Sequence, residues 1–192
     1  MCSSDLYIME ASTTFDYHRP WHIFDTNVNS VSSCWAPPLA PGFGVDYNTY
    51  YTNNGQYSGP VKTTSNGSDY YGEWAQITLP TKIRLTKYQL NTIKEEVSRG
   101  PYKFYIFGSN NGSSWDLLDI RENQTYDSLG YGNTHIVSTN NSYNIFRLVV
   151  NSRNGNGWMS VANWDIWGQE SGIGHILPAP TDITLPIDNS AY

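Results

Sequence analysis

The sequence predicts an all-β protein: an antiparallel β-sandwich of jelly-roll type with extended N- and C-terminal arms. Three observations point there. Residues 101–107 alternate, with Tyr102, Phe104 and Ile106 on one face of an extended chain and Lys103, Tyr105 and Phe107 on the other. Gly108 and the polar run 109–114, with Asn111-Gly112 at its centre, then supply a turn before Trp115 and Leu117-Leu118 resume an apolar pattern. Finally, the 192 residues are 15% aromatic and only 15% charged, with 16 glycines, which suits pleated layers joined by many turns.

Taken in order, residues 1–20 show no period and read as an N-terminal arm ending at Pro20. Residues 21–35 read as an opening strand and an Asn/Ser turn closed by Trp35. A long loop region follows over 36–69, holding Pro37-Pro38, Pro41-Gly42 and the tyrosines Tyr47, Tyr50, Tyr51 and Tyr57. Strands are expected over 74–79 and 83–90, with a bulge where the apolar parity shifts between Leu85 and Tyr88. Residues 92–99 read as a solvated linker, and 117–121 and 135–138 as shorter strands. A turn at Asn140-Asn141 precedes the apolar strand around Phe146 and Leu148, and residues 153–158 form a Gly/Asn loop with Trp158 at its exit. The domain is expected to span 21–168. Residues 169–192, with Pro178, Pro180 and Pro186, form a C-terminal arm in which Ile183, Leu185 and Ile187 alternate, a strand pattern suited to binding another protein subunit.

Several functions are excluded by what the chain lacks. A net charge of −6 without a Lys/Arg cluster argues against nucleic acid as partner. No apolar run approaches the roughly 20 residues of a membrane span. The first ten residues have neither a basic start nor a continuous apolar stretch, so they do not read as a signal peptide. Cys2 and Cys34 either pair or stay as reduced thiols. Asn-x-Ser/Thr triplets at Asn66, Asn111, Asn123 and Asn140 are expected by chance in a chain this rich in Asn and Ser. No nucleophile elbow, phosphate loop or paired-cysteine motif is present, and Pro20 breaks any helix that would align His18 with His22. Catalysis is not expected.

Five segments carry a resemblance: Ile23-Phe24-Asp25-Thr26-Asn27 with Trp35, Gly72-Glu73-Trp74 through Pro80, the 101–115 hairpin, Tyr143 through Val150, and Ala162-Asn163-Trp164-Asp165-Ile166-Trp167-Gly168. In this order they resemble the discoidin, or coagulation-factor C-type, family of galactose-binding-like β-sandwiches. The resemblance covers about residues 20–168. It implies a non-catalytic module that binds glycans or another surface ligand, and the absence of a C-terminal cysteine departs from the secreted members' end-to-end disulfide. It also implies a structural calcium near the opening loop, for which Asp25, Asn27 and Asn29 offer hard oxygen ligands, although Asn163 stands where the closing strand would place an acid. No other cofactor is expected.

The same fold would gather Tyr50, Tyr51, Arg153, Asn154 and Trp158 near one end. There they either bind a sugar, with rings for its C–H face and planar polar groups for its hydroxyls, or pack the long loop onto the domain. Trp74, Trp115, Phe104, Ile106, Phe146 and Leu148 are expected in the core, with Arg147 paired to a carboxylate or carbonyls at the sandwich edge. The alternative function is a structural subunit of a virion shell, spike or fibre held by its arms. Either way the expected location is a particle or cell surface.

Overall fold

Pro101–Ser109, the alternating stretch, is a strand buried on both faces in a computed structural model that describes residues 7–15, 17–30, 32–37, 50–52, 54–155 and 158–170. Phe104 and Ile106 enter one core while Tyr105 and Phe107 enter a second on the opposite side. In chain order the strands are β1 (Ile8–Ala11), β2 (Lys62–Ser65), β3 (Ser68–Tyr71), β4 (Glu73–Asn91), β5 (Pro101–Ser109), β6 (Asp116–Arg121), β7 (Tyr131–Ile136), β8 (Tyr143–Arg153) and β9 (Asn163–Glu170). All the pairings among them are antiparallel.

One strand builds both layers. The first half of β4 lies between β1 and β8, continuing the order β1-β4-β8-β5-β6. Its second half lies between β7 and β9. Between Thr78 and Ile83 the register shifts, and Pro80, Thr81 and Lys82 make an exposed corner. A second irregularity falls between Leu85 and Lys87, inside the segment where parity predicts a bulge. Ile77, Phe104, Phe146 and Leu148 of one layer meet Leu85, Tyr88, Leu90 and Trp164 of the other, with Trp35 and Ile23 filling the space between them. Each such side chain contributes about 1.5–3 kcal/mol on burial.

Four features differ from the expected arrangement. Residues 8–11 are no free arm but an edge strand, because Ile8–Ala11 finds an unpaired side of β4 at Ala75–Thr78. Next to it Glu73, fully buried, accepts hydrogen bonds from the hydroxyls of Ser12, Thr13 (2.7 Å) and Tyr57 (3.2 Å), tying the N-terminal segment to the domain. The expected opening strand is instead a 3-10 turn at Pro20–Phe24, started by the fixed φ of Pro20. Within the long loop region, β2 and β3 form a hairpin whose Asn66 and Gly67 both have positive φ (49° and 78°), the requirement of a two-residue primed turn. Residues 94–99, finally, form short 3-10 turns on a buried base of Thr92 and Ile93.

Trp74 and Trp115 lie outside the main core. They belong to the outer face of the larger layer, with Tyr105, Phe107, Ile145 and Val149, where Tyr70 of the β2-β3 hairpin packs over them. Arg147 sits here too, bonded to Gln76 and Thr63 side chains rather than to a carboxylate. Among the described residues no helix is long and apolar enough to cross a membrane. Ile183, Leu185 and Ile187 lie outside the described residues, as does Cys2.

Candidate functional site

Four connections converge at one end of the sandwich, held by backbone carbonyls. Arg153 donates its backbone N–H to Gly55 O (3.0 Å) and its guanidinium to Thr52 O (3.3 Å) and Gly155 O. Gly55, at φ 82°, leaves room for this approach: a Cβ there would stand 2.4 Å from Arg153 O. Asn154 joins two further loops, its backbone N–H to Gly100 O (2.9 Å) and its side-chain amide to Gln124 O (3.0 Å). Ser160 N–H to Arg99 O (3.0 Å) closes the ring of contacts.

Two of the five residues expected to bind a ligand are here structural. Tyr51 is 3% exposed and donates its hydroxyl to Val150 O (2.9 Å), and Arg153 is 2% exposed with its donors turned to loop carbonyls. Neither presents a group to a ligand, because the long loop must bury its own rings to be held on the domain. Tyr50 is half-buried against Tyr57, with ring centroids 6.0 Å apart. Burial raises the phenol pKa values of Tyr51 and Tyr57 well above the ordinary value, with the Glu73 carboxylate adding to both. Asn154 and Trp158 keep partial exposure.

Trp158 leads to residues the sequence reading passed over. Its ring meets Phe15 edge-on at 5.8 Å and His18 at 5.2 Å, and the Arg99 guanidinium lies 4.8 Å from its centroid. Tyr17 stacks obliquely on His18 at 4.4 Å. From there the chain passes through the 3-10 turn, which projects Trp21 outward. Tyr17 and Trp21 are 50% and 53% exposed. His22 places Nε2 3.1 Å from Tyr17 O and Nδ1 3.0 Å from Asp25 Oδ2. Two exposed rings, Tyr17 against His18 and Trp21 near His22 (centroids 5.8 Å), thus share one short segment with the His22-Asp25 contact, and His18 in turn packs on Phe15 and Trp158. The sequence signal was present in Tyr17-His18-Arg19-Pro20-Trp21-His22, but that segment straddled the boundary assigned to the arm.

Asp25 and Asn27, two of the three expected calcium ligands, turn their side-chain oxygens to the chain itself. Asp25 Oδ1 accepts the Asn27 N–H (2.9 Å), its Oδ2 takes the Ser33 hydroxyl (2.6 Å) and His22, and Asn27 Oδ1 accepts the Asn29 N–H (3.0 Å). These are chain-closing turns of the kind Asp and Asn side chains make on their own. No group of three or more His, Cys, Asp or Glu residues gathers among the described residues. A single carboxylate with both oxygens engaged does not fit a cation that takes about six to eight oxygens.

No protein-family model matches the sequence, and no curated protein matches it. Solved structures do match in fold. CBM32-3 from a family 31 glycoside hydrolase of Clostridium perfringens superposes with a TM-score of 0.59 at 13% identity, over 86% of this chain and 97% of that one. The family 32 CBM of Clostridium perfringens NanJ, in complex with galactose, gives 0.53 at 13% identity, over 83% and 92%. A family 89 glycoside hydrolase from the same organism gives 0.54 at 15% identity over 86% of this chain, which spans only 14% of that enzyme. At these identities the likeness is one of fold.

Proposed function

We propose that this galactose-binding-like β-sandwich is a non-catalytic recognition module whose loop end binds a glycan. The carrying observation is the pair of exposed rings, Tyr17 and Trp21, in the segment where His22 contacts Tyr17 O and Asp25. A pyranose needs an apolar plane for its C–H face and fixed polar groups for its hydroxyls. Tyr17 and Trp21 supply the first, and the exposed His22-Asp25 pair supplies the second. That carbohydrate-binding modules share the fold supports the reading. A glycan array compares the native protein with Trp21→Ala and Tyr17→Ala. Each replacement is expected to weaken binding by about 10-fold or more, worth about 1.4 kcal/mol, with the far-UV spectrum unchanged. Equal binding by all three proteins would remove the site from this end.

A second reading, a subunit of a larger assembly such as a shell, spike or fibre, is favoured by a different surface. On the outer face of the smaller layer Ile136, Lys87 and Trp167 lie in one cross-strand row. Ile136 is 72% exposed and the Lys87 ammonium lies 4.3 Å from the Trp167 ring centroid. If this row is a subunit contact, Ile136→Glu lowers the mass measured by light scattering. A monomeric native protein at every concentration would exclude it.

A further inference from the structure

Arg19 stands in the sequence between the two exposed rings, and its backbone is held in place. Pro20 restricts the residue before it to extended angles, and Arg19 has φ −82° and ψ 155°. Its N–H is donated to Tyr17 O (2.9 Å), and its carbonyl accepts the His22 N–H (3.2 Å). Exposure alternates along the stretch, with Tyr17, Arg19 and Trp21 exposed and His18 and Pro20 buried. Two residues span at most about 7 Å of chain, so the Arg19 side chain has the length to meet a ligand resting on either ring. The other five arginines are all engaged: Arg84 with Gln169, Arg99 with Glu96, Arg121 with Asp119, and Arg147 and Arg153 as described. The Arg19 guanidinium makes no ion pair, hydrogen bond or ring contact among the described residues. Asp25, the described carboxylate nearest to it in sequence, is turned to the Asn27 N–H, Ser33 and His22 instead.

We infer that the glycan bound at this end carries an acidic group, a carboxylate or a sulfate ester, and that Arg19 binds that group. The inference rests on the glycan reading of the Tyr17–Trp21 segment and adds the class of its ligand. A guanidinium is a planar fork of N–H donors that meets two anionic oxygens at once, a geometry no neutral hydroxyl uses in full. The exposed rings two residues to either side offer the C–H face of the same sugar a place to rest. The chain as a whole carries a net charge of −6, so its overall field repels anions. Preference for an acidic sugar therefore has to come from a local cation, and in this segment that cation is Arg19.

The test is an array on which neutral oligosaccharides of galactose, glucose and mannose stand beside their uronate and sulfate-ester counterparts. The full native chain is expected to bind at least one acidic set about 10-fold or more tightly than its neutral parent, and the set that leads tells carboxylate from sulfate. Arg19→Ala should erase the preference, and Arg19→Lys, which keeps the charge without the fork, should retain only part of it. Lys82→Ala, which removes one positive charge at the exposed corner of β4, should leave the preference intact. Arg19 is exposed, and an unchanged far-UV spectrum confirms that its variants fold. Equal binding of neutral and acidic sugars by the native chain overturns the inference, as does a preference that survives in Arg19→Ala. Unselective binding that Tyr17→Ala and Trp21→Ala weaken removes the acidic class and leaves the glycan reading standing. Failure to bind any sugar on the array removes both.

Discussion

Arg147 lies flat on Trp115, its guanidinium carbon 3.9 Å from the ring centroid, and Trp74 covers its other face at 4.0 Å. Gln76 Oε1 accepts from Nε and Nη2 (3.0 and 2.7 Å), and the same amide donates to Glu10 Oε2 at 2.8 Å. An uncharged amide therefore links the cation to a carboxylate on β1. Burial lowers the Arg147 pKa to about 10, partly countered by the Glu10 charge, so the guanidinium remains protonated at neutral pH. Its desolvation is offset by two indole faces and three side-chain hydrogen bonds.

Lysine at 147 would keep the charge but lose the planar fork and the double stack. Arg147→Lys is expected to destabilise the fold by about 2 kcal/mol, read as a lower urea midpoint at unchanged slope.

Buried phenols set the alkaline limit. Desolvation first, with nearby carboxylates adding for Tyr51, Tyr57 and Tyr88, raises the pKa values of those three tyrosines, and desolvation alone raises that of Tyr126, above the ordinary 10.0. A folded-state value above the unfolded one means the contribution is complete below pH 10 and is lost as pH rises through the folded values. Arg147 and Arg153, with their lowered values, work in the opposite direction but are two groups against four. Tyrosinate absorbance is expected to show these phenols ionising together in one cooperative step that coincides with loss of near-UV dichroism.

What was legible in the sequence had a local cause. The 101–107 alternation survives because each face of β5 meets its own apolar cluster, and the parity break at Leu85 marks a real irregularity. The β2-β3 hairpin escaped notice because Lys62–Ser65 is almost wholly polar, although Asn66-Gly67 announced the turn. The burial of Tyr51 and Arg153 depends on Val150, Thr52 and Gly155, and only the tertiary structure reveals which loop carbonyls will be near. Tyr17 and Trp21 were hidden by an opposite error, a domain boundary drawn at a proline that in fact starts a turn inside the fold.

Cys34 is 1% exposed and lies 3.2 Å from His18 Nδ1, yet it is no nucleophile. Burial pushes its thiol up to about 12, with the Asp25 charge adding and Arg99 opposing. In a Cys2→Ser background the remaining thiol is expected to resist a disulfide reagent in the native state and to react fully once unfolded.

Asp25 closes its turn by accepting the Asn27 N–H and the Ser33 hydroxyl, with His22 against the same carboxylate. A chelator is expected to leave the melting temperature unchanged, and added calcium likewise. Asp25→Ala, which strands the Asn27 N–H, the Ser33 hydroxyl and His22, is expected to cost about 1–3 kcal/mol whether or not calcium is present.

Because β4 serves both layers, Thr78 pairs with Ile8 and Ile145, while Ile83, just past the corner, pairs with Glu170. The larger layer has all five of its strands once Arg153 is made, but its inner face still awaits the smaller layer. The smaller one lacks a flank until β9, the last strand among the described residues, has been made. Nascent chains stalled before Glu170 should therefore stay open to proteases along most of their length and then become resistant abruptly, within a few residues of further growth.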